Sequence, residues 1–176
     1  MLKQLINKLD FVESDWVLLA IRLCNNPNVR RLLVAVSKAG DGTLWVVLIL
    51  GQMLLDPAEA AWGGVIALCG LFNLSLYKLI KHQTLRNRPC VRWPHIRNAT
   101  AALDHYSFPS GHTLHATTFS IMLCTLYPAA IWVLLPFAVL VAVSRVVMGL
   151  HYPSDVLAAV VIGYGVAEFG LGLIAV

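Results

Sequence analysis

The sequence predicts an all-α integral membrane protein, a helical bundle of five to six spans with an amphipathic helix at its N-terminus. Of the 176 residues, 59% are hydrophobic and 12% are charged, whereas soluble domains carry roughly twice that share of charged residues. The hydrophobic residues are gathered in long runs, and several approach the roughly 20 residues that a helix needs to cross a bilayer. One membrane domain covering 1–176 is therefore expected.

The N-terminal segment is expected to lie along the membrane surface. Apolar residues recur at helical spacing through 1–24, and charged residues fill the other side of that helix. Its most apolar part, 16–23, is interrupted by Arg22 and is too short to cross a bilayer, which favours a helix lying in the headgroups. A short tilted or re-entrant span is the alternative. A short basic helix at 29–38 completes this interfacial segment, 1–40.

Five apolar runs follow, and each is predicted to be a membrane-spanning helix. They cover 43–55, 58–80, 113–127, 129–150 and 156–176. The first needs a thin or locally pinched bilayer, and the N-terminal helix would add a sixth span if it inserted. Pro136 is expected to kink the fourth run without ending it. The one long polar segment, 81–110, is expected to form a loop that carries part of a functional site.

A second polar stretch, 145–155, lies between the last two apolar runs and contains Arg145, His151 and Asp155. A cation buried there costs several kcal/mol unless it is paired or reaches a wet cavity, so its presence indicates a functional site. The alternative is an arginine that snorkels to the headgroups and a histidine that caps a helix end.

Three short polar clusters lie where apolar runs begin or end, and the five-span arrangement puts them on a single membrane face. They are Lys81-x6-Arg88-Pro89, Pro109-Ser110-Gly111-His112 and Ser144-Arg145-x5-His151-x3-Asp155. Because helices that end at one face bring such clusters together, a shared site is expected.

The residue types in these clusters suit a phosphoryl group. Lys81, Arg88 and Arg145 would supply one ammonium and two planar guanidinium groups that bind phosphate oxygens in pairs. Ser110 is well placed as an N-cap. Gly111 would let a phosphate approach the free N–H groups at the start of a helix.

The two motif histidines are expected to divide the chemistry. One would attack phosphorus, and the other would give a proton to the leaving oxygen. His151 has a carboxylate four residues away, Asp155, that can hold its ring in the attacking tautomer. His112 has no such partner within its motif, so His151 is predicted to be the nucleophile and His112 the acid.

Together the three clusters resemble the signature of the type-2 phosphatidic acid phosphatase family, which comprises integral membrane lipid phosphatases with a site similar to that of the vanadium haloperoxidases. The resemblance covers 81–155 and includes every motif position. It implies a helical membrane bundle, hydrolysis through a phosphohistidine without a metal, and a site on the extracytoplasmic face. Carried over, the phosphate-binding residues are Lys81, Arg88, Ser110, Gly111 and Arg145, and the catalytic residues are His112 as acid, His151 as nucleophile and Asp155 as its orienting partner.

Several further polar residues have two interpretations. Asp104 and His105 either line the entrance to the site or lie in a solvated loop. Three arginines of the polar segment either hold a second phosphate or lipid headgroups, or serve only as basic residues flanking a span; these are Arg86, Arg92 and Arg97.

The leading function is that of a membrane lipid phosphate or diphosphate phosphatase. Candidate substrates are undecaprenyl diphosphate, phosphatidylglycerol phosphate and phosphatidic acid. The alternative is a non-catalytic phospholipid-binding or transport membrane protein, but binding alone would need only the cations and not the set of His112, His151 and Asp155. A haloperoxidase is disfavoured because that chemistry suits soluble proteins.

The expected partners are the lipid bilayer and a membrane lipid phosphate, with no nucleic acid, and the oligomeric state is left open. The four cysteines match no zinc-binding spacing, so no metal and no cofactor are expected. The excess of Lys and Arg on the motif face favours a cytoplasmic site. The family resemblance implies the opposite, and we expect a bacterial inner membrane protein with its site on the extracytoplasmic side.

Overall fold

The computed structural model describes residues 2–96 and 104–174, with side chains described from Ile6 onward. Within these ranges the chain forms eight α-helices. They are α1 (Leu2–Ile21), α2 (Pro27–Ala39), α3 (Thr43–Leu55), α4 (Ala60–Thr84), α5 (Pro89–Arg92), α6 (Gly111–Leu126), α7 (Ile131–Val147) and α8 (Pro153–Ile174). The described residues form no strand beyond one isolated bridge between Asn87 and Tyr106, and the predicted all-α fold is confirmed.

The helix boundaries follow the predicted runs closely. Helix α3 covers the predicted 43–55, and the basic helix α2 is three residues longer than the predicted 29–38 because Pro27 begins it and Asn26 caps it. The side chain of Asn26 accepts hydrogen bonds from the backbone N–H groups of Asn28 and Val29. Pro136 lies inside α7 without ending it, as predicted.

Among the described residues, three helical segments are long and apolar enough to cross a membrane. They are Pro57–Thr84, Pro128–Val147 and Pro153–Ile174. Helices α2 and α3 pass the same criterion only as a pair, and they are bent by 50° at the turn between them. The structure therefore supports three spans, or four with the bent pair, and the predicted count of five to six stays a prediction.

Helix α6 is the central helix of the bundle and packs against α4, α7 and α8. Its 16 residues measure about 24 Å at 1.5 Å per residue, and side chains on all of its sides are buried. A helix that is apolar all round requires such neighbours. The apolar run 113–127 therefore encodes a helix enclosed by other helices.

A chain of polar contacts connects three helices across this core. Asn73 of α4 donates to the Thr118 hydroxyl at 2.9 Å, and Thr118 of α6 donates to the carbonyl of Gly163 in α8 at 2.9 Å. Each of these hydrogen bonds satisfies a polar donor within the apolar core. They fix the relative rotation of α4, α6 and α8, whose ends carry the motif residues.

Helix α1 exposes apolar side chains and buries polar ones, the reverse of a surface helix in a soluble protein. Phe11, Trp16 and Leu19 are 69%, 66% and 65% exposed, whereas Asp10 and Ser14 are buried against the bundle. The predicted amphipathic helix is confirmed, and its apolar side is free to contact lipid. The sequence periodicity distinguishes an apolar side of α1 from an acidic side, but it does not show which side packs against the protein. The structure shows that the acidic side does.

Gly163 sets the distance between α6 and α8. A Cβ added there would lie 2.8 Å from the backbone carbonyl oxygen of Leu114, whereas a Cβ at Gly165 would meet open space. We expect Gly163→Ala to lower the free energy of unfolding by about 1–3 kcal/mol, since a backbone atom cannot move aside as a side chain can. Gly165→Ala is the matched control and should be within about 0.5 kcal/mol of the parent. Denaturant unfolding in detergent measures both, and equal effects would contradict the role of Gly163.

Candidate active site

The three predicted clusters meet at one end of the bundle. The first lies at the end of α4 and before α5, the second at the start of α6, and the third in the connection from α7 to α8. Backbone hydrogen bonds join these segments: Ser110 N–H donates to the Asp155 carbonyl at 3.1 Å, and Cys90 N–H donates to the Gly149 carbonyl at 3.2 Å. The motif side chains that carry charge or donate hydrogen bonds are almost fully buried there; they include Lys81, Arg88, Ser110, Arg145, His151 and Asp155.

The start of α6 has the predicted N-cap. The Ser110 hydroxyl accepts a hydrogen bond from the Thr113 backbone N–H at 3.5 Å and is 2.9 Å from the Thr113 hydroxyl. Gly111 follows, and a Cβ added to it would lie 3.3 Å from the ring of Tyr77 on α4. The absence of a side chain at Gly111 therefore lets α6 begin against α4 and leaves the helix N-terminus accessible to an anion.

His151 is held between an arginine and a carboxylate. Its Nε2 lies 3.0 Å from Arg88 Nη1, and its Nδ1 lies 3.5 Å from Asp155 Oδ2. Because a guanidinium can only donate, Nε2 must accept and is unprotonated. The hydrogen of the neutral ring is therefore on Nδ1, which lies beside Asp155 Oδ2 without forming a hydrogen bond to it. This tautomer leaves the Nε2 lone pair facing Arg88, as the predicted role of His151 requires.

The surroundings of His151 also keep its ring neutral. Burial lowers the pKa of His151 well below its ordinary value, and the positive charges of Arg88, Arg145 and Lys81 lower it further. A neutral imidazole is required for attack on phosphorus, because the protonated ring has no free lone pair.

The three predicted phosphate-binding cations differ in their partners. Lys81 Nζ pairs with Asp104 Oδ2 at 2.8 Å. Arg88 donates from Nε to the Asp104 carbonyl and from Nη1 to the Leu150 carbonyl, each at 2.8 Å. Arg145 donates to the neutral hydroxyl of Ser37 at 2.5 Å, and its Nε has no partner among the described residues. Two of the three cations are therefore bound to neutral groups only, which leaves positive charge for an anion.

The sequence allowed two interpretations of Asp104, a residue at the entrance to the site or a residue of a solvated loop. Its contact with Lys81 supports the first. Burial alone raises the pKa of Asp104, but the hydrogen bond and charge of Lys81, together with Arg88, bring it below its ordinary value. The carboxylate is thus ionised and half-buried beside the cations. His105, its neighbour, is exposed.

His112 has a carboxylate partner that its own motif does not contain. Its Nε2 is in contact with Oδ1 of Asp41, which lies between two glycines in the turn joining α2 to α3. Gly42 of that turn has φ +32°, in the region that favours glycine. The sequence signal for this contact is one charged residue, Asp41, in a glycine turn on the membrane face predicted to carry the site, 71 positions before His112.

Arg86 and Arg92 do not contribute to a second phosphate site. Arg86 pairs with carboxylates, including Asp10 of α1 at 2.8 Å, and Arg92 donates to Asp10 at 2.6 Å and to Asn7 at 3.0 Å. Both face the buried side of α1. Arg97, the third arginine of the prediction, lies outside the described residues.

A cavity of about 510 Å³ extends from the site between α3, α4 and α6. Asp41, Asp104 and His112 line one end of it, and apolar side chains line the rest. Leu50 and Leu71 lie on its walls and are more than half exposed on the outer surface of the bundle. The polar site thus continues into an apolar space that opens sideways. Among the described residues, no group of three or more His, Cys, Asp or Glu side chains is arranged to hold a metal ion.

The sequence matches known proteins over most of its length. The model of the PAP2 superfamily matches residues 60–173. An undecaprenyl-diphosphatase of Sulfolobus acidocaldarius is 30% identical over 137 residues, which are 75% of this chain and 64% of that relative. A decaprenylphosphoryl-5-phosphoribose phosphatase of Mycolicibacterium smegmatis is 33% identical over 149 residues, which are 81% of this chain and 79% of that relative.

Two solved structures share the fold. A transmembrane PAP2 type phosphatidylglycerolphosphate phosphatase from Bacillus subtilis superposes with a TM-score of 0.80 at 20% identity, covering 99% of this chain and 94% of its own. LpxE from Aquifex aeolicus superposes with a TM-score of 0.75 at 22% identity, covering 88% and 93%. At these identities the likeness concerns the arrangement of helices.

Proposed function

Because this chain belongs to the PAP2 superfamily, we propose that it is a membrane lipid phosphate or diphosphate phosphatase that works through a phosphohistidine on His151 and without a metal. The observation that carries the proposal is the setting of His151. Its unprotonated Nε2 lies 3.0 Å from Arg88 Nη1, and its Nδ1 faces the Asp155 carboxylate. A histidine with a purely structural role does not require a buried carboxylate beside Nδ1 and a buried cation beside Nε2.

Phosphate binding replaces the contacts that the cations make in the free protein. Lys81, Arg88 and Arg145 surround the phosphoryl oxygens. The Ser110 hydroxyl and the backbone N–H of Gly111, the first residue of α6, add further donors, whereas the Ser110 N–H stays bound to the Asp155 carbonyl. The Arg88 contact with Nε2 is exchanged for a contact with a phosphate oxygen, and this brings phosphorus in front of the Nε2 lone pair. The same cations stabilise the charge that spreads over the equatorial oxygens in the transition state.

The reaction then proceeds in two balanced steps. In the free protein, burial and the charge of Arg145 lower the pKa of His112 to about 4, and Asp41 opposes them. The bound phosphate adds negative charge that raises this pKa, so His112 enters the first step protonated. Nε2 of His151 forms a bond to phosphorus while the bond from phosphorus to the leaving oxygen breaks, and His112 gives that oxygen a proton. Asp155 stabilises the positive ring that results. In the second step His112, now neutral, takes a proton from a water molecule that attacks phosphorus. The P–N bond breaks, and inorganic phosphate leaves with His151 restored.

The apolar cavity supports a lipid substrate. A headgroup at His112 would have its alkyl or prenyl chain beside the apolar walls of α3 and α4, and the side opening would let that chain remain in the bilayer. The names of the two sequence relatives refer to undecaprenyl and decaprenylphosphoryl compounds, which favours a prenyl-linked phosphate over phosphatidic acid or phosphatidylglycerol phosphate. Because Arg86 and Arg92 are paired with carboxylates, they add nothing to the binding of a diphosphate.

Purified protein in detergent should release inorganic phosphate from at least one lipid in a panel of undecaprenyl diphosphate, phosphatidylglycerol phosphate and phosphatidic acid. Release should persist in EDTA and should be inhibited by orthovanadate, which adopts the trigonal bipyramidal shape of the phosphoryl transition state. The control is His151→Gln, which should be inactive on every lipid. Absence of release from the whole panel would favour the phospholipid-binding alternative, and loss in EDTA restored by a divalent ion would overturn the metal-free mechanism.

The two histidine–carboxylate pairs should respond differently to the leaving group. His112→Ala should lower the rate on a lipid phosphate by about two to four powers of ten, but much less on an aryl phosphate, whose leaving group needs no proton. Asp41→Asn should show the same selectivity with a smaller loss. His151→Ala should remove both activities, and Asp155→Asn should lower both alike.

Steady-state rates on the two substrates measure these differences. Asp15→Asn is the control for removing a negative charge, since Asp15 is exposed on α1 away from the site. If His112→Ala lost both activities equally while His151→Ala kept the aryl substrate, the roles of the two histidines would be reversed.

We also propose that the protein lies in a bacterial inner membrane with the site on the extracytoplasmic side, against the direction favoured by the basic residues. In a cysteine-free background, His105→Cys would report on the site face, where His105 is exposed, and Ala129→Cys on the turn at the far end of α6. An impermeant maleimide applied to intact cells should label the first variant and should reach the second only after lysis. The opposite pattern would give a cytoplasmic site.

A further inference from the structure

We propose that Arg86 is a positioning residue for the Asp155–His151 pair, and that α1 holds Arg86 in place through Asp10 and Glu13. This inference rests on the proposed function, since it gives Arg86 a part in the same reaction. It also gives α1 a role in the site, although α1 lies outside the three motifs and outside the matched region 60–173.

The two oxygens of Asp155 have separate partners. Arg86 Nη1 donates to Oδ1 at 2.5 Å, while Oδ2 accepts from the Tyr152 backbone N–H at 2.9 Å and faces His151 Nδ1. A carboxylate held at both oxygens cannot rotate about its χ2 angle. Arg86 therefore fixes the direction in which Oδ2 is presented to the histidine.

Arg86 is itself fixed on every side. Its guanidinium lies 4.2 Å from the centre of the Tyr152 ring, and it donates to the Ser154 hydroxyl at 2.7 Å. Its backbone carbonyl accepts from the Ser107 N–H at 2.8 Å. The side chain is 3% exposed, so it has neither the freedom nor the direction to reach a substrate phosphate. Its influence on the reaction must pass through Asp155.

Helix α1 supplies the remaining partners of Arg86. Asp10 Oδ1 accepts from Nε at 2.8 Å, and Glu13 Oε2 accepts from Nη2 at 2.6 Å. These two residues are three apart and so lie on one side of the helix. Glu13 also accepts from the Ser154 backbone N–H at 2.7 Å, at the start of α8 and one residue before Asp155. A single glutamate thus holds both the arginine and the helix end that carries the catalytic carboxylate.

The charges of this cluster suit the proposed reaction. Arg86 is outnumbered by the three carboxylates that it contacts, those of Asp10, Glu13 and Asp155, which leaves an excess of negative charge beside the neutral His151. When His151 forms its bond to phosphorus, the ring gains a positive charge on the Asp155 side. The cluster therefore balances that charge without moving, which is the condition for electrostatic stabilisation at low cost.

The test is a double-mutant cycle between Arg86→Gln and Asp155→Asn, measured on a lipid phosphate and on an aryl phosphate. Arg86→Gln alone should lower kcat about ten- to hundredfold on both substrates, the size of loss typical when an outer partner of a functional side chain is removed. KM and the inhibition constant of inorganic phosphate should stay within about twofold, because Arg86 does not touch phosphate, whereas inhibition by orthovanadate, which resembles the transition state, should weaken together with kcat. In the Asp155→Asn background the same change should cost less than about threefold, since the partner through which it acts is already altered.

Two further variants separate positioning from folding. Arg92→Gln removes an arginine that also contacts Asp10 but does not touch Asp155, and its kcat should remain within about twofold of the parent. Arg86→Lys keeps the charge, so it should unfold within a few degrees of the parent, yet it should still lose part of kcat because one ammonium cannot reach Asp155, Glu13 and Asp10 together. Additive losses in the cycle, or a raised KM with unchanged kcat, would overturn the proposal.

A measurement without turnover keeps this test distinct from that of the proposed function. In spectra of protein labelled with 15N-histidine, the Nδ1–H signal of His151, assigned by its loss in His151→Gln, should shift in Arg86→Gln and stay unchanged in Arg92→Gln. If the parent released no phosphate from any lipid but this shift appeared, the proposed function would fail while the positioning contact stood. An unchanged His151 signal in Arg86→Gln would overturn the contact whatever the activity.

Discussion

Four basic side chains are buried at one end of an apolar bundle, and the structure of that end follows from how their charges are compensated; they are Lys81, Arg86, Arg88 and Arg145. Removing an ion from water costs several kcal/mol unless the charge is paired and hydrogen-bonded. Arg86 meets three carboxylates, whereas Arg145 meets one neutral hydroxyl. The first arrangement is complete within the protein. The second would be completed by an anion, as the proposed function requires.

This difference divides the site into two regions with His151 between them. On one side the acidic cluster of α1, Arg86 and Asp155 carries an excess of negative charge. On the other side Arg88 and Arg145 carry an excess of positive charge. The His151 ring lies between the two regions, with Nδ1 near the Asp155 carboxylate and Nε2 near Arg88. This orientation suits the proposed nucleophile, whose ring becomes positively charged when Nε2 bonds to phosphorus. The second pair, His112 and Asp41, lines the apolar cavity, beside which the lipid chain of a leaving group would lie.

The core of the bundle provides the rigidity that such a site requires. Helix α6 is enclosed by three helices and approaches α8 closely at Gly163, so the start of α6 and the start of α8 keep a constant separation. The direct hydrogen bond from Ser110 to the Asp155 carbonyl depends on that separation. Close packing at Gly163, which lies outside the motifs, thereby helps to bring the motif residues together.

The sequence by itself determined the all-α fold class and most helix boundaries, because hydrophobic periodicity is sufficient for both, and it indicated which motif residues meet at one end of the bundle. His151 lies just before α8 and Asp155 lies in its first turn, four residues later, so their proximity is a local property. Tertiary structure alone decided the partners that lie far apart in the chain: Asp41 for His112, Asp104 for Lys81, and Asp10 and Glu13 for Arg86. A basic residue in a polar loop has the same sequence signal whether it binds a carboxylate or awaits a phosphate. Which of the two occurs depends on the helix that folds against it. Asp10 and Arg86 are 76 positions apart, so no local pattern can show their pairing.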